Sequence, residues 1–429
     1  MEGSSHSHGV KRAVSPEQAE VQRPKKAVKI HPFFEKPQKN ISDDNFEWLK
    51  PFGETRSCLH GINLQPTSSP RIAAFDLDGT IIKSELRNTA EWEWWRSDVP
   101  KKLKEAHEAG YAIVIISNQA INSLALKKWK QKIPSIAAAL SELPFRLFAA
   151  TAKDWYRKPM PGMWYELERI FRADGIEIDK TASFFVGDAA GRQFTKKKAD
   201  FASTDRKWAL NIDVKFYTPE EYFLGLTPHR DIVLPGFHVS SLPDLPLFVP
   251  TSKPLIPPGS EQEIVLFVGY PCLGKTTFFR RVFEPASYVH INQDNLKNRN
   301  KCITAVRDAM QNKLSCVVDN TNRDRATRKA YIDLAREFCV TIRCFVFTGS
   351  IELAWHNNLY RAFNIPPSAT GKEPPRKLLP YSAFASFLDK YDEPSEDEGY
   401  TEIKKINWVF QGTEQERKHW SMWLQIDGK

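Results

Sequence analysis

Short runs of apolar residues alternate with amphipathic stretches in two separate parts of the chain. Between about residues 70 and 225 the apolar runs read RIAAFDLD, YAIVIIS, FRLFAAT and SFFVGD. From residue 263 onwards they read IVLFVG, YVHINQD, SCVVDNT and TIRCFVF. Strands that alternate with helices usually pair in parallel, so the pattern predicts two α/β domains, each built on a largely parallel sheet.

Two amphipathic stretches of the first part carry the usual signals of helix ends. VPKKLKEAHEAG and PGMWYELERIFRADG have proline near the start and end on Gly110 and Gly175, as helices tend to do. Residues 228–262 then interrupt the alternation, with six prolines between Pro243 and Pro258. We interpret this segment as a semi-extended linker whose apolar side chains lie against one or both domains.

These breaks predict four segments: a disordered basic tail at 1–40, an α/β domain at 41–227, the linker at 228–262 and an α/β domain at 263–429. The tail contains KR and RPKK, spaced like a bipartite nuclear-import signal. Plain solvation would also explain such basic clusters, but we expect a nuclear protein. The tail ends in IHPFF, which could bind a sliding clamp or anchor the tail on the protein's own domain.

Charge and cysteine content narrow the functional classes. Lys and Arg number 61 against 52 Asp and Glu, giving a formal net charge of +9. This excess is compatible with mere solvation and also favours a polyanionic partner such as nucleic acid. The six cysteines contain no Cys-x-x-Cys pair, which indicates a reducing compartment. The chain has no apolar run of about 20 residues, the length of a membrane span. We therefore expect a soluble, intracellular protein with no membrane contact. We also expect it to be a monomer.

The stretch IAAFDLDGT places Asp76 and Asp78 at the end of an apolar strand. Successive side chains of a strand point to opposite sides, so residues 76 and 78, which are two positions apart, point to the same side. Gly79 then lets the backbone turn away. We expect Asp76 to attack phosphorus, and Asp78 to protonate the leaving oxygen and later deprotonate water. Mg²⁺ is expected, because an anionic nucleophile must approach an anionic phosphate.

DLDGT also resembles the signature of the haloacid-dehalogenase-type phosphatases. Further elements follow in that superfamily's order: Ser117 in IISNQ, Lys158 in YRKPMPGMW and Asp188 in FFVGD. The resemblance implies that Ser117 and Lys158 hold the phosphoryl oxygens. It also implies that Asp188 joins Asp76 and the carbonyl of Asp78 on Mg²⁺.

A basic run follows Asp188 in AAGRQFTKKKADFASTDR. A solvated charged surface is the simplest interpretation of such a run. Beside a phosphatase centre, contact with a phosphodiester backbone becomes the better one. The residues expected to make it are Arg192, Lys196, Lys197 and Lys198.

The stretch GYPCLGKTT matches the spacing G-x-x-x-x-G-K-[ST] between an apolar strand and the helical pattern TTFFRRVF. This context predicts a nucleoside-triphosphate site in which loop amides surround the phosphates, Lys275 neutralises them and Thr276 binds Mg²⁺. The remaining predicted ATP-binding residues are Gly269, Gly274 and Thr277.

The ends of the following strands suggest phosphoryl transfer. Asp294 ends YVHINQD, where it could accept the proton of an attacking hydroxyl or cap the next helix. The run VVDNTNRD adds Asp319, Asn320 and Asn322 to the same sheet edge. In LAWHNNLYR, Arg361 is either a surface cation or, by resemblance to the polynucleotide kinases, a lid residue that stabilises charge on the transferred group.

Taken together, DLDGT, VGDAAGR, GYPCLGKT, NQD, DNTN, HNN and EPSEDEGY resemble the eukaryotic polynucleotide kinase 3'-phosphatases over about residues 45–412. The resemblance implies a haloacid-dehalogenase-like phosphatase domain followed by an adenylate-kinase-like P-loop domain. It implies removal of 3'-phosphates from DNA and transfer of the ATP γ-phosphate to 5'-hydroxyls. Two alternatives remain open: RNA end healing, and a decayed scaffold that only binds broken ends.

The sequence departs from that family in three places. Animal members begin with a forkhead-associated domain, whereas a short basic tail precedes the phosphatase here, so we expect no recruitment by phosphorylated scaffolds. Gln293 stands where animal members carry an arginine for the acceptor strand. Lys297, expected on one helical face with Asp294, could replace that contact. Ile121 stands where relatives keep glycine and is expected to reshape the loop above the phosphatase pocket.

Overall fold

The computed structural model describes residues 45–84, 91–259, 261–366 and 376–425. The basic tail, with its predicted import signal and clamp-binding motif, lies outside these residues. Within the described ranges, no helix has both the length and the apolar character needed to cross a membrane.

The first sheet has the strand order β1-β2-β5-β4-β3-β6-β7. The bounds of its strands are Phe46–Phe52 (β1), Cys58–Asn63 (β2), Ile72–Phe75 (β3), Ala112–Asn118 (β4), Phe145–Ala150 (β5), Phe184–Val186 (β6) and Lys215–Tyr217 (β7). Strands β3 to β7 pair in parallel, and β3 to β6 coincide with the four predicted runs. The sequence therefore identified the centre of this sheet correctly.

An antiparallel hairpin at the edge of this sheet was missed. Strands β1 and β2 pair with each other, and β2 pairs with β5, both antiparallel. Charged residues interrupt β1, and its burial alternates irregularly. The local pattern is therefore too weak to predict a strand, and pairing with β5 stabilises the hairpin.

Helices cover both faces of the first sheet. Their bounds are Val99–Glu108 (α1), Ser123–Ala139 (α2), Gly162–Ala173 (α3), Thr204–Ile212 (α4) and Pro219–Leu224 (α5). Ile113 and Ile115 of β4 pack in the same core as α1 and α2, whereas Val114 and Ile116 pack with α3 and α4. Alternate side chains of a strand thus fill two cores. Both helices predicted from their end signals, α1 and α3, are present.

The second sheet has the order β10-β11-β9-β12-β13-β8. The bounds of its strands are Phe248–Val249 (β8), Glu263–Val268 (β9), Val289–Ile291 (β10), Cys316–Asp319 (β11), Thr341–Thr348 (β12) and Glu402–Asn407 (β13). Every neighbouring pair is parallel except β13 with β8. Strands β9 to β12 coincide with the predicted runs.

Seven helices accompany this sheet within the described part of the chain. Their bounds are Lys275–Val282 (α6), Gln293–Leu296 (α7), Arg299–Gln311 (α8), Arg325–Glu337 (α9), Ile351–Phe363 (α10), Tyr381–Asp389 (α11) and Glu414–Trp420 (α12). The parallel strands and their crossover helices bring the carboxyl ends of β9, β10 and β11 to one edge of the sheet, where ligands of such folds bind.

The proline-rich segment 228–262 is more than a linker. Its start pairs with the first domain, where the amide of Val233 donates to the carbonyl of Gly191 at 2.9 Å. Phe237 is buried in a core of the second domain, and β8 joins the second sheet next to β13. The segment was predicted to lie against one or both domains, and it contacts both, but part of it belongs to the second sheet. A two-residue strand among prolines leaves no periodicity to detect.

Candidate active sites

The carboxyl ends of β3, β4 and β6 bring together the residues predicted for phosphate removal. Asp76 follows β3 directly, Ser117 lies near the end of β4, and Asp188 follows β6 after one glycine. The parallel pairing of β3 with both β4 and β6 places these three ends side by side. Asp76, Asp78 and Ser117 are all buried, so these polar side chains lie below the protein surface.

Lys158 contacts the expected nucleophile directly. Its Nζ atom lies 2.6 Å from Oδ1 of Asp76 and 2.7 Å from Oδ1 of Asp205. It also donates to the carbonyl of Ile116 at 2.9 Å. Burial opposes the charge of Lys158, but Asp205 and Asp76 outweigh burial and raise the pKa of the ammonium group. The two carboxylates therefore favour the charged form of Lys158 beside Asp76.

Asp205, in the first turn of α4, completes an acidic cluster that the sequence analysis missed. Oxygen atoms of Asp76, Asp188 and Asp205 all lie within 4.8 Å of one another. Burial raises the pKa of Asp205 to about 6, although Lys158 opposes this shift. In the sequence, Asp205 follows the basic run and resembles an ordinary acidic residue at a helix start. Only the packing of α4 brings it to the end of β3.

The donor set of this cluster fits a hard divalent cation. Carboxylate oxygens are the ligands that Mg²⁺ prefers, and Asp188 reaches the cluster by lying against the backbone of Gly79. A Cβ atom at Gly79 would lie 2.2 Å from Oδ2 of Asp188, and the φ of this glycine is +91°. A side chain at position 79 would therefore displace a candidate metal ligand.

Gln119 orients Asp78 and was also missed. Its Nε2 donates to Oδ2 of Asp78 at 2.5 Å and to Oγ of Ser117 at 3.0 Å. The other oxygen of Asp78, Oδ1, is buried without a hydrogen-bond partner among the described residues. One oxygen of Asp78 is thus held by Gln119, and the other is available to a proton. Ile121, in the same loop, is 37% exposed.

Arg192 differs from its prediction as a nucleic-acid contact. The side chain is buried, with Nε 2.8 Å from Oδ2 of Asp200 and Nη1 2.7 Å from Oε2 of Glu220. The prediction is corrected, because two carboxylates already hold the guanidinium inside the fold. By contrast, Lys196, Lys197 and Lys198 are exposed, and their contact with a phosphodiester backbone stays a prediction.

The loop between β9 and α6 has the backbone of a phosphate-binding loop. Gly269 and Gly274 have φ of +152° and +83°, and a Cβ at Gly269 would lie 2.9 Å from Phe347. Nζ of Lys275 donates to the carbonyls of Gly269 at 3.0 Å and Tyr270 at 2.6 Å. Burial lowers the pKa of Lys275 to about 8. Its ammonium group thus folds back over the loop that would surround the phosphates.

Asp319 accepts a hydrogen bond from Thr276, whose hydroxyl group is predicted to bind the metal. Oγ1 of Thr276 donates to Oδ2 of Asp319 at 2.6 Å, and Nε2 of His290 lies 2.9 Å from the same oxygen. Burial alone would raise the pKa of Asp319, but hydrogen bonds from His290 and Thr276 outweigh it and lower the pKa. The sequence placed Asp319 at this edge without a role, and its contact with Thr276 supports one in metal binding.

One cavity of about 960 Å³ connects the loop to the other predicted kinase residues. Its wall includes Lys275, Thr276, Thr277, Asp294, Lys297 and Arg361. Asp294 is exposed and is not the helix cap, because Asn292 takes that position and accepts a hydrogen bond from the Asp294 amide at 2.7 Å. The capping alternative for Asp294 is therefore wrong.

Lys297 does not share a helical face with Asp294. Helix α7 ends at Leu296, and Lys297 follows it with a φ of +72°. Its Nζ donates to the backbone carbonyl of Asp294 at 2.6 Å. The prediction of a shared face is wrong because α7 has only four residues. Lys297 and Gln293 nevertheless line the same cavity as Asp294.

Aromatic side chains form another part of the cavity wall. The ring of Trp420 lies 4.6 Å from that of Trp408 and 5.2 Å from that of Phe410, measured between ring centroids. Trp408 directly follows β13, on the opposite side of β9 from β10 and Asp294. Because β9 lies between β11 and β12, the phosphate-binding loop lies between the end of the cavity that carries Asp294 and the aromatic end.

Comparisons with known proteins match both halves of the chain. Residues 71–223 match the family described as polynucleotide kinase 3 phosphatase, and residues 264–373 match an AAA domain. The bifunctional polynucleotide phosphatase/kinase of Schizosaccharomyces pombe is 37% identical over 367 residues, which cover 83% of this chain and 83% of that protein.

Two further relatives share parts of this arrangement. A putative bifunctional polynucleotide phosphatase/kinase of Acanthamoeba polyphaga mimivirus is 30% identical over 400 residues, covering 85% of this chain and 90% of that protein. Polynucleotide 3'-phosphatase ZDP of Arabidopsis thaliana is 35% identical over 178 residues, covering 36% of this chain and 24% of that protein.

Proposed function

The chain belongs to the bifunctional polynucleotide phosphatase/kinases, and we propose that it repairs DNA ends by removing 3'-phosphates and phosphorylating 5'-hydroxyls. It is an enzyme with a phosphatase domain followed by a kinase domain. The observation that carries the proposal is the pairing of Lys158 with Asp76 in the same chain as a P-loop cavity lined by Asp294.

In the phosphatase site, Asp76 attacks the phosphorus of the 3'-phosphate and forms an aspartyl-phosphate, while Lys158 holds the phosphoryl oxygens. The bond from phosphorus to the 3' oxygen breaks, and Asp78 protonates that oxygen. Asp78 then takes a proton from the water that hydrolyses the aspartyl-phosphate, which restores both carboxyl groups. Mg²⁺ held by Asp76, Asp188 and the carbonyl of Asp78 would offset the charge between nucleophile and phosphate.

Two side chains prepare these groups for their roles. The bond from Gln119 to one oxygen of Asp78 leaves the other oxygen for proton transfer. Asp205 supports the site through its ion pair with Lys158 and its carboxylate in the acidic cluster. Ser117 is buried beside Gln119, which is consistent with its predicted contact with a phosphoryl oxygen.

In the kinase site, the loop amides and Lys275 hold the phosphates of ATP. Thr276, oriented by Asp319, would bind the Mg²⁺ that accompanies the nucleotide. Asp294 accepts the proton of the 5'-hydroxyl as that oxygen attacks the γ-phosphorus and the bond to ADP breaks. Arg361, in the last turn of α10 and in the cavity wall, neutralises charge on the transferred group.

The two ends of the kinase cavity take different parts of the reactants. Asp294 and Lys297 belong to one end, so the 5' end of the nucleic acid enters there. Trp408 and Phe410 belong to the opposite end, beyond the phosphate-binding loop. Aromatic rings suit stacking with a base, so we assign the base of ATP to this end. Phosphoryl transfer then proceeds in line across the loop.

DNA is the favoured substrate because the two chemistries are needed together when one break carries both a 3'-phosphate and a 5'-hydroxyl. The net charge of +9 suits such a polyanion. RNA end healing would use the same groups and is distinguished by activity on matched RNA. A decayed scaffold is disfavoured because each site retains its charged groups. Action in the nucleus, as a monomer, completes the proposal.

The test is an end-processing assay on a duplex with a one-nucleotide gap that bears a 3'-phosphate and a 5'-hydroxyl. Supplied with Mg²⁺ and ATP, the protein should convert these ends to a 3'-hydroxyl and a 5'-phosphate. A matched RNA substrate runs in parallel. A strong preference for RNA would overturn the choice of DNA, and metal-independent binding without turnover would support the scaffold.

A further inference from the structure

The segment 158–160 connects the phosphatase site to the core of the kinase domain. The ammonium group of Lys158 contacts Asp76, whereas Met160, two residues later, is fully buried in the same core as β9 and α10. A short segment held at both ends has little freedom to move. The position of Lys158 therefore depends on where the kinase domain holds Met160.

Asn211, near the end of α4, forms hydrogen bonds both with this segment and with the kinase domain. Its Nδ2 donates to the carbonyl of Pro159 at 2.8 Å and to that of Trp423 at 2.7 Å. Its Oδ1 accepts from the amide of Trp423 at 2.7 Å. Both hydrogens of the amide group are thus used. One side chain joins the residue after Lys158 to the C-terminal segment of the kinase domain.

Helix α4 holds Lys158 from two directions. Asp205, in its first turn, forms an ion pair with Nζ of Lys158, and Asn211, in its last turn, bonds to the backbone at Pro159. The first contact fixes the charged end of the lysine, and the second fixes its backbone. An error of about 1 Å at a reacting group can cost about 100-fold in rate, so both contacts matter for catalysis.

The C-terminal segment is in turn linked to the phosphate-binding loop by hydrogen bonds through Asn357. Nε1 of Trp420 donates to Oδ1 of Asn357 at 2.8 Å, and Nδ2 of Asn357 donates to the carbonyl of Cys272 at 3.1 Å. Trp420 also lines the kinase cavity. The C-terminal segment thus contacts the kinase site through Trp420 and contacts Asn211 through Trp423.

We propose that Asn211 is a positioning residue for the phosphatase, through which the C-terminal segment of the kinase domain holds Lys158 in place. This inference rests on the proposed phosphatase function. Asn211 touches no reacting group, and its effect passes through Pro159 to Lys158. Phosphatase turnover in this chain thus depends on a contact with the other domain, whereas kinase turnover does not depend on Asn211.

The test compares two asparagines that make similar bonds. Asn211→Ala removes the contact with Pro159 and Trp423. The matched control is Asn63→Ala, since Nδ2 of Asn63 also donates to two carbonyls, those of Leu140 and Leu143, but does not touch residues 158–160. Both variants are assayed as full chains for phosphatase kcat and KM on a 3'-phosphorylated oligonucleotide, and for kinase kcat in the same preparation.

We expect Asn211→Ala to lower phosphatase kcat by about 10- to 100-fold, with KM and kinase kcat nearly unchanged. Asn63→Ala should leave phosphatase kcat nearly unchanged, even where it lowers the melting temperature by a similar amount. Equal losses of phosphatase kcat in both variants, or an unchanged kcat in Asn211→Ala, would overturn the proposal. Absence of phosphatase activity in the unaltered protein would instead refute the proposed function.

A second variant covers the case in which Asn211→Ala lowers the amount of folded protein. Asn211→Asp has the same shape and still accepts from the amide of Trp423, but its second oxygen faces the carbonyls of Pro159 and Trp423. It should lower phosphatase kcat at least as much as alanine does. Kinase kcat per folded molecule is the internal reference, and parallel loss of both activities in both variants would contradict a positioning role.

Discussion

Nζ of Lys158 lies 2.6 Å from Oδ1 of Asp76, and both side chains are almost completely buried. Lys158→Met should abolish 3'-phosphate removal, because it removes the charge that holds the phosphate beside the nucleophile. It should also lower the free energy of unfolding by about 3–5 kcal/mol, since buried carboxylates lose their partner. Denaturant unfolding and phosphatase assays measure these effects.

Asp76→Ala should abolish 3'-phosphate removal while kinase activity persists. Phosphatase activity that survives in this variant would contradict the assignment of Asp76 as the nucleophile.

Replacing Asp205 tests whether its carboxylate contributes to metal binding in the phosphatase site. Asp205→Asn keeps the size of the side chain but removes one negative charge from the group formed with Asp76 and Asp188. The Mg²⁺ concentration for half-maximal phosphatase activity should rise by about 10- to 100-fold, as for changes around a metal site. Magnesium titration of both activities checks this. The kinase curve is the control, and an unchanged phosphatase curve would exclude Asp205 from metal binding.

The kinase site offers a contrast between binding and chemistry. Lys275→Ala should weaken ATP binding, because it removes the charge that faces the phosphates, whereas Asp294→Asn should retain ATP affinity and lose turnover. Equilibrium binding of ATP and initial rates of 5' phosphorylation separate the two effects. Both variants should keep full phosphatase activity. Normal turnover in Asp294→Asn would remove Asp294 from its proposed role as the base.

The aromatic end of the cavity should determine the affinity for ATP. Trp408→Ala should raise the KM for ATP by about tenfold, because stacking of a base on an aromatic ring contributes about 1–3 kcal/mol. The KM for the 5'-hydroxyl oligonucleotide should stay the same. Kinase assays with each substrate varied in turn provide both values. A larger effect on the oligonucleotide would mean that the two ends of the cavity are assigned the wrong way round.

Salt dependence tests the basic loop beside the phosphatase site. Binding to 3'-phosphorylated DNA should weaken steeply as salt rises. Replacing Lys196, Lys197 and Lys198 with Ala should reduce the slope of log affinity against log salt by about 0.9 for each DNA phosphate that these lysines neutralise. Fluorescence anisotropy at several salt concentrations measures the slope. An unchanged slope would assign these lysines to solvated surface. The control is Lys329→Ala, which removes an exposed lysine that forms an ion pair on α9.

Local sequence predicted the residues at strand ends because strand, turn and helix are short-range structures. Asp76 and Asp78 follow an apolar strand and precede a glycine, and Lys275 and Thr276 lie between a strand and a helix. Each prediction rests on a short stretch of neighbouring residues, so the local pattern alone contained the information. The order of these motifs also indicated the family, which the comparisons confirm.

Tertiary structure decided which distant side chains meet. Arg192 belongs to a basic run, yet its guanidinium pairs with Glu220 of α5. Asp205 reaches Asp76, and Asn211 reaches Trp423, only through the packing of α4. Hydrophobic packing sets the position of a helix on a sheet, and no local pattern records the resulting distances between polar side chains. Sequence alone thus determined the two chemistries, whereas the fold determined how the phosphatase lysine is held.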